Sequence, residues 1–374
     1  MALLTLLVFN CGEKPTSGDP LSRALASQDP KIKMVMDHLD THEVQVLFTQ
    51  IDRRNDSVFF TDYSFQVDKK NYFYPASTVK FPIAVLALEK LNETDTLNMD
   101  TRFFVEGDTL ETTFASDITR VFAVSDNEAN NRLLEFLGQD AINERLVSRG
   151  VTPVRISHRL GVHSEELTTK PLLIYLNDST TTPTKPTINS AAVPLQLEKI
   201  RKGKGFYVAE EDSIYREPFD FSLKNYYPIQ AQHAVLKRVI FPGNFPGDQQ
   251  FHISEEQREF LLNAMQIVPR KAGYDPAEFY DSYCKFFIFG DSRDPIPDKI
   301  KIYNKVGFAF GTLTDCAYIR DTENEVEFLL TATILVNDNG IFNDDHYEYE
   351  ETGIPFLAAL GRELYTSEKL RKHP

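Results

Sequence analysis

The spacing of hydrophobic residues changes near the start of the chain. Residues 43–52 and 57–67 alternate or cluster β-forming side chains on either side of a polar stretch, which predicts a β-hairpin. From Phe81 onward the apolar residues recur at helical spacing, with Ile83 and Leu86 on one face. The pattern therefore predicts a hairpin followed by a helix.

The middle of the chain, residues 92–270, has mainly helical patterns. One predicted helix ends at Gly138, one spans residues 141–148, and one begins after Ser254, a capping residue. Residues 168–248 are rich in Thr, Pro and Lys and have weak periodicity. This stretch is predicted to form long loops with short helices.

From residue 285 the chain returns to strand-like patterns. The predicted elements are strands at 286–289, 300–306, 314–320 and 327–336 and a last helix at 356–365. Strands at both ends of the sequence, with helices between them, predict an α/β domain formed by residues 30–80 and 285–374. Residues 81–284 are predicted to form an inserted, mainly helical domain with inserted loops.

Composition excludes several functional classes. The chain has 374 residues, 42% hydrophobic and 25% charged, which is ordinary globular composition. Its net charge of -15 makes nucleic-acid binding a poor hypothesis. No Cys/His pair has metal-ligand spacing, so no metal or cofactor is predicted. Cys284 and Cys316 lie in apolar surroundings and are expected to be buried thiols.

The N-terminus has the pattern of an export signal. Residues 2–9 form an apolar run that ends just before Cys11 and is too short to span a bilayer. It looks like the end of a bacterial signal whose cleavage leaves an acylated cysteine. Residues 1–29 are thus predicted to be a signal remnant and tether of a periplasm-facing lipoprotein or secreted protein of the cell envelope. Membrane contact is expected only through lipid on Cys11, and the alternative is a frayed tail in a cytosolic protein.

A serine and a lysine open the first predicted helix, as Ser77-Thr78-Val79-Lys80. A serine hydroxyl needs a neighbouring base, and this spacing puts both side chains on one helix face. A lysine in a dry, cation-crowded pocket loses its proton near neutral pH. The alternative is a helix cap beside a solvated lysine. A second match, Ser282 to Lys285, precedes the predicted aromatic strand and is interpreted as chance.

Two further motifs supply polar groups in the expected order. In Ser125-Asp126-Asn127, Ser125 is predicted to relay a proton to a leaving group and Asn127 to bind a substrate carbonyl. The alternative for this motif is a helix N-cap. In Lys305-Val306-Gly307, Lys305 sets a positive potential, and Gly307 is predicted to let a substrate backbone approach the strand.

Together the three motifs resemble those of the class A β-lactamase and penicillin-recognising serine hydrolase family, over roughly residues 40–370. The resemblance implies a β-lactamase/transpeptidase-like fold, an antiparallel sheet with flanking helices and an inserted helical domain. The implied roles are a nucleophile at Ser77, its base at Lys80, a proton shuttle at Ser125, substrate binding at Asn127 and an electrostatic role for Lys305.

The chain departs from that family at two places. Class A enzymes carry a loop glutamate that activates the water for deacylation, and aligning the loop places Ser164 there. Glu165 or Glu166 is predicted to substitute after a short shift, the alternative being an exposed pair of acids. Val306 replaces a hydroxyl residue that binds the β-lactam carboxylate, a loss of roughly 1.5–3 kcal/mol of binding.

The leading hypothesis is therefore a serine hydrolase acylated at Ser77 by β-lactams or related amides and esters. The substrate is expected to be a small molecule or derived from peptidoglycan. One alternative is a peptidoglycan D,D-peptidase or esterase. Another is a non-catalytic envelope lipoprotein that uses residues 168–248 for binding. The sequence leaves the oligomeric state open.

Overall fold

The described part of the chain combines helices at both ends and in the middle with strands between them. The computed structural model describes residues 18–55, 57–161 and 165–373. The helices are α1 (Pro20–Leu25), α2 (Pro30–Met36), α3 (Leu39–His42), α4 (Lys80–Leu91), α5 (Phe114–Ala123), α6 (Asn127–Leu137), α7 (Gln139–Ser148), α8 (Ile229–Ile240), α9 (Glu255–Gln266) and α10 (Ile354–Lys372). The strands are β1 (Gln45–Arg54), β2 (Ser57–Phe65), β3 (Arg102–Val105), β4 (Thr112–Thr113), β5 (Leu172–Asn177), β6 (Thr180–Pro183), β7 (Arg201–Lys202), β8 (Gly205–Val208), β9 (Ser213–Tyr215), β10 (Phe219–Asp220), β11 (Ile300–Ala309), β12 (Thr312–Asp321), β13 (Val326–Leu335) and β14 (Ile341–Phe342).

A large antiparallel sheet joins the two ends of the chain. Its strand order is β11-β12-β13-β1-β2, and each neighbouring pair is antiparallel. The predicted hairpin and the three predicted C-terminal strands of this sheet are confirmed, each within a few residues of its expected bounds. Because β11 is an edge strand, one side of it is left for contacts with the segment that carries Ser77.

Helices cover both faces of this sheet. Successive residues of β13 point to opposite faces, so Leu329 joins the core with α4, α6, α8 and α9, whereas Leu330 joins the core with α1, α2 and α10. Both leucines are fully buried. This layered arrangement confirms the predicted fold class, an antiparallel sheet with flanking helices and further, mainly helical structure between its strands. The division into domains at residues 80 and 285 stays a prediction.

The predicted strand at residues 286–289 is wrong. The backbone N–H groups of Phe286 and Phe287 both donate to Asp315 Oδ2, at 3.1 and 3.3 Å. Gly290 N–H then closes a turn on the Phe286 carbonyl at 3.1 Å. A buried carboxylate thus takes the amides that a strand ladder would use, and the aromatic run fills the core as a turn.

Two other sequence predictions need correction. Helix α8 lies in the stretch predicted as loops and short helices, and it packs on β12 and β13. Its pattern was obscured because polar residues, including His233, are buried in it through hydrogen bonds to Thr49 and Thr331. The predicted tether is also wrong at α1, because this part of residues 1–29 forms a helix. Leu21 and Leu25 of this helix are buried beside α10. Cys11 and its proposed lipid lie outside the described residues.

An inserted group of short strands adds an aromatic cluster near one end of the sheet. Strand β14 pairs with β8 in parallel, and β10 pairs with β7. The rings of Phe219 and Phe310 stack with centroids 5.3 Å apart, and Phe310 meets Tyr74 edge-on at 5.1 Å. The insertion is therefore joined by ring packing to the segment just before Ser77. Among the helices described, none is long and apolar enough to span a membrane.

Candidate active site

Ser77 lies in a tight turn, Ala76–Val79, that leads directly into α4. Ala76 adopts the left-handed conformation (φ 45°), and Thr78 Oγ1 donates to the Pro75 carbonyl at 2.6 Å. The Ser77 side chain is half-buried. In the part of the chain that the structure describes, the Ser77 N–H has no hydrogen-bond acceptor. A donor left open beside a serine hydroxyl is what a developing oxyanion would need.

Gly307 on the edge strand β11 packs against this turn. A Cβ at Gly307 would lie 2.7 Å from Pro75 O and 2.9 Å from the backbone N of Ser77 and Thr78. These distances are shorter than any side chain tolerates, so only glycine lets the strand and the turn approach this closely. In the structure, the group that approaches Gly307 is the turn that carries Ser77. The predicted approach of a substrate backbone to Gly307 stays a prediction.

Lys80 is fully buried one turn after Ser77. Its ammonium donates to the carbonyl of Ser125, to Asn127 Oδ1 at 2.6 Å and to Ser125 Oγ at 3.3 Å. Ser125 is held in the left-handed region (φ 58°), a strained conformation for this residue type. Lys80 thus links the first motif to the second.

Ser125 also links the second motif to the third. Lys305 Nζ donates to Ser125 Oγ at 2.7 Å and to the Val306 carbonyl at 2.8 Å. The Ser125 hydroxyl therefore lies between two ammonium groups, that of Lys80 and that of Lys305. The predicted convergence of the three motifs is present in the structure.

Burial sets the charge of both lysines. It holds the pKa of Lys80 well below the usual lysine value, and the nearby positive charge of Lys305 lowers that pKa further. Burial also lowers the pKa of Lys305, to about 8. The nearby Cys284 and Asp315 oppose this effect, because they raise the pKa of Lys305. The lowered pKa makes Lys80 suited to act as a base.

Ser77 lines a cleft of about 340 Å³. Its lining is formed by Tyr74, Ala76, Asn127, residues 158–161, Lys224, residues 308–310 and Asn343. None of these described lining residues carries a carboxylate. His158 is buried, with Nδ1 bonded to the Arg159 carbonyl at 2.6 Å and Nε2 accepting from Asn225 N–H at 3.3 Å. Both ring nitrogens are occupied, and burial lowers the pKa of His158 to about 4.

The loop with the predicted glutamates is anchored on α6. Arg159 forms a buried ion pair with Glu135 at 2.6 Å and donates to the backbone carbonyl of Glu166 at 2.7 Å. Glu165 is exposed and attracts Lys224 electrostatically. Glu165 and Glu166 are absent from the described lining of the cleft, and their catalytic role stays a prediction. Ser164 lies outside the described residues.

Sequence reasoning missed two groups that shape the cleft. Asn131 follows Asn127 by one helical turn and hydrogen-bonds both backbone groups of Leu160, which lines the cleft. The spacing of Asn131 from Asn127 was an available signal, because residues four apart share a helix face. Lys224 is the second group, and no local pattern indicated its position.

The second serine–lysine pair lies away from the cleft. Ser282 Oγ donates to the Ser292 carbonyl at 2.5 Å. Lys285 is buried and donates to Asn304 Oδ1 at 2.6 Å and to the Met265 carbonyl at 2.8 Å. The pair is therefore structural, as expected, although it enters a turn and not a strand. Cys284 and Cys316 are buried free thiols, which confirms that expectation.

Comparisons with known proteins agree with this fold. Residues 29–204 match the family described as the Beta-lactamase enzyme family. A comparison with curated proteins finds no significant match. Among solved structures, a β-lactamase from Sphaerobacter thermophilus DSM 20745 is 14% identical, with a TM-score of 0.50 over 94% of this chain and 97% of that one.

Two further solved structures are similar in fold. A class A β-lactamase from Mycobacterium abscessus is 15% identical, with a TM-score of 0.50 over 91% of this chain and 98% of that one. A leucine-to-glutamate mutant of PBP-A, an acyl-enzyme complex with penicillin G, is 12% identical, with a TM-score of 0.51 over 93% of this chain and 95% of that one. At these identities the likeness shows the fold.

The match over residues 29–204 and the fold of these neighbours confirm the β-lactamase-like resemblance stated from the motifs. This family match supports a function of the serine hydrolase type. Among the described residues, no cluster of His, Cys, Asp and Glu could hold a metal ion.

Proposed function

We propose that the protein forms an acyl-enzyme on Ser77 with β-lactams or related amides and esters. The observation that carries the proposal is the buried Lys80 ammonium, which lies one helical turn after Ser77 and bonds both Ser125 and Asn127. Neutral Lys80 takes the Ser77 proton as the hydroxyl oxygen attacks the substrate carbonyl. The Ser77 N–H stabilises the oxyanion, and Asn127 binds a substrate amide.

Collapse of the tetrahedral intermediate requires a proton on the leaving group. Ser125 Oγ, 3.3 Å from Lys80 Nζ and 2.7 Å from Lys305 Nζ, relays that proton from Lys80. The charge of Lys305 stabilises the negative charge that develops during the transfer. Ser77 remains acylated: the leaving group of an ester or open-chain amide departs, whereas the nitrogen of an opened β-lactam ring stays tethered to the acyl group.

The acyl-enzyme is proposed to be long-lived. Deacylation needs a base that activates water, and no described residue that lines the cleft has a free carboxylate or imidazole for this task. Glu165 and Glu166, in the loop that follows residues 158–161 of the cleft wall, are the candidate bases for deacylation. A peptidase or esterase acting on peptidoglycan-derived substrates is the second candidate, because slow release of a β-lactam is compatible with turnover of another acyl donor.

Intact-mass spectrometry after exposure to benzylpenicillin tests this proposal. We expect a mass increase of one benzylpenicillin that persists after the free drug is removed. Ser77→Ala is expected to abolish the increase, and Ser282→Ala, which removes the other serine of this motif type, to retain it. Rapid hydrolysis without accumulation would contradict the long-lived intermediate, and labelling of the folded Ser77→Ala protein would contradict the nucleophile.

The location of the protein in the cell envelope is also proposed, on the apolar run before Cys11. Radiolabelled palmitate incorporation in a bacterial host, compared with Cys11→Ala, tests it. Loss of label in the variant is expected, and equal labelling of both proteins would contradict lipid attachment at Cys11.

A further inference from the structure

Lys224 is a cation that the catalytic steps proposed above do not use. It follows β10 in the inserted segment and lines the same cleft as Ser77 and Asn127. Its side chain is half-buried. Within the described residues, Lys224 Nζ has neither a hydrogen bond nor an ion pair, and its electrostatic interaction is with Glu165. By contrast, Lys80 and Lys305 are buried and bonded to Ser125.

The backbone that carries Lys224 is held on both sides. Lys224 N–H donates to the Phe221 carbonyl at 2.9 Å, and Arg155 donates to the Lys224 carbonyl. The next residue, Asn225, accepts from Ser157 N–H at 2.8 Å and donates its own N–H to His158. A fixed backbone with an uncommitted ammonium is preorganised to bind an anion.

Lys224 and Lys305 serve different parts of the cleft. The residues that line the cleft with Lys224 include Asn127 and the wall at 158–161, but neither Ser125 nor Lys305. In the mechanism proposed here, Ser125 protonates the leaving group. Lys224, which lines the cleft without Ser125, therefore faces the acyl side of the bond that breaks, opposite the leaving atom that Ser125 protonates.

We infer that the acyl portion of the preferred substrate carries a carboxylate, which Lys224 binds. This inference rests on the proposed acylation of Ser77 and adds a substrate class to it: acyl donors with a second, acidic group beyond the reacting carbonyl. Tyr74 and Phe310 line the same cleft and supply apolar contact beside the charge. Burial lowers the pKa of Lys224 and the Glu165 carboxylate opposes that effect, so a bound carboxylate reinforces the charged form.

Two penicillins that differ by one carboxylate test the inference. Carbenicillin is benzylpenicillin with a carboxylate on the side-chain carbon, so the ratio of their second-order acylation rate constants isolates that group. We expect a ratio favouring carbenicillin in the native protein, falling about tenfold in Lys224→Met, as for loss of one charge-assisted hydrogen bond. Lys224→Arg is expected to restore most of the preference. Lys185→Met, an exposed lysine in the same inserted region, should leave it unchanged.

The outcomes separate the two proposals. Acylation of Ser77 by both penicillins, with a ratio that Lys224→Met leaves unchanged, overturns the role of Lys224 and leaves the acyl-enzyme standing. Equal loss with both penicillins in Lys224→Met also overturns it, because that result indicates a structural role. Absence of acylation by either penicillin overturns the inference together with the proposed function. Added salt should reduce the carbenicillin preference in the native protein only.

Discussion

The side chain of Asn131 holds Leu160 by both of its backbone polar groups. Asn131 Nδ2 donates to the Leu160 carbonyl and Leu160 N–H donates to Asn131 Oδ1, each at 2.9 Å. Asn131 lies on α6, the helix that begins at Asn127. The same helix therefore supplies Asn127, which is proposed to bind substrate, and fixes a leucine that lines the cleft while its side chain packs in the core.

Leu160→Glu is predicted to shorten the lifetime of the acyl-enzyme. Asn131 bonds only the backbone of residue 160, so the new side chain keeps its attachment point. Leu160 packs in the core, where a carboxylate would lack solvation, so the glutamate is expected to turn into the cleft that this residue lines. A positioned general base typically gains two orders of magnitude or more, and we expect at least about tenfold faster deacylation here. The decay of the acyl-enzyme mass after removal of benzylpenicillin measures it.

Leu160→Gln is the matched control, since it has the same shape as Leu160→Glu but no base. Its acyl-enzyme should decay at the native rate. Equal acceleration in both variants would indicate that opening the wall to water is sufficient. An unchanged rate in a folded Leu160→Glu protein would contradict the expectation that a carboxylate at residue 160 activates water in the cleft.

Much of the candidate site was predictable because its parts are local in sequence. Ser77 and Lys80 are one turn apart, and Ser125 and Asn127 lie together just before and at the start of α6. The hairpin β1–β2 and the strand that carries Lys305 follow from alternating hydrophobic patterns. That the three motifs meet at one site was predicted from the resemblance to a known family. The spacing of the motifs along the chain does not indicate that they lie close together in the fold.

What the sequence did not predict depends on distant partners. The aromatic run at 286–289 has every local sign of a strand, but Asp315 takes two of its backbone N–H groups. Val306 was interpreted as a change at the cleft, yet its side chain is 1% exposed and belongs to the core beside α10. Lys224 reaches the cleft only because its segment is bonded to Arg155 and His158.

Lys305→Met is predicted to shift the pH dependence of acylation. The proposed reaction requires neutral Lys80, so its rate should rise as pH increases through the pKa of that group. Burial is the main cause of the lowered pKa, and the charge of Lys305 lowers it further. Removing that charge raises the pKa of Lys80, so the rising limb of the rate profile should move to higher pH.

The falling limb should also respond, because burial lowers the pKa of Lys305 to about 8 and loss of its charge weakens stabilisation of the transition state. In the native protein we expect the acylation rate to decline above about pH 8. In Lys305→Met the rate should be lower overall and should no longer show this decline. Rate constants measured across pH, with Lys301→Met on the same strand as control, check both limbs. An unmoved rising limb would contradict the coupling between the two lysines.

Gly307→Ala is predicted to impair acylation far more than folding. The added Cβ would lie 2.7 Å from Pro75 O and 2.9 Å from Ser77 N, so the turn that carries the nucleophile must move away from β11. Overpacking of this kind costs about 1–3 kcal/mol of unfolding free energy, which a protein of this size tolerates. A displacement of even about 1 Å at the nucleophile costs about 100-fold in rate, and we expect a loss of that order in the acylation rate constant.

Gly243→Ala is the control, because a Cβ there meets no atom within 4 Å. Chemical denaturation and acylation kinetics measured on both variants separate the two effects, and native acylation by Gly307→Ala would show that the Ser77 turn does not depend on this contact.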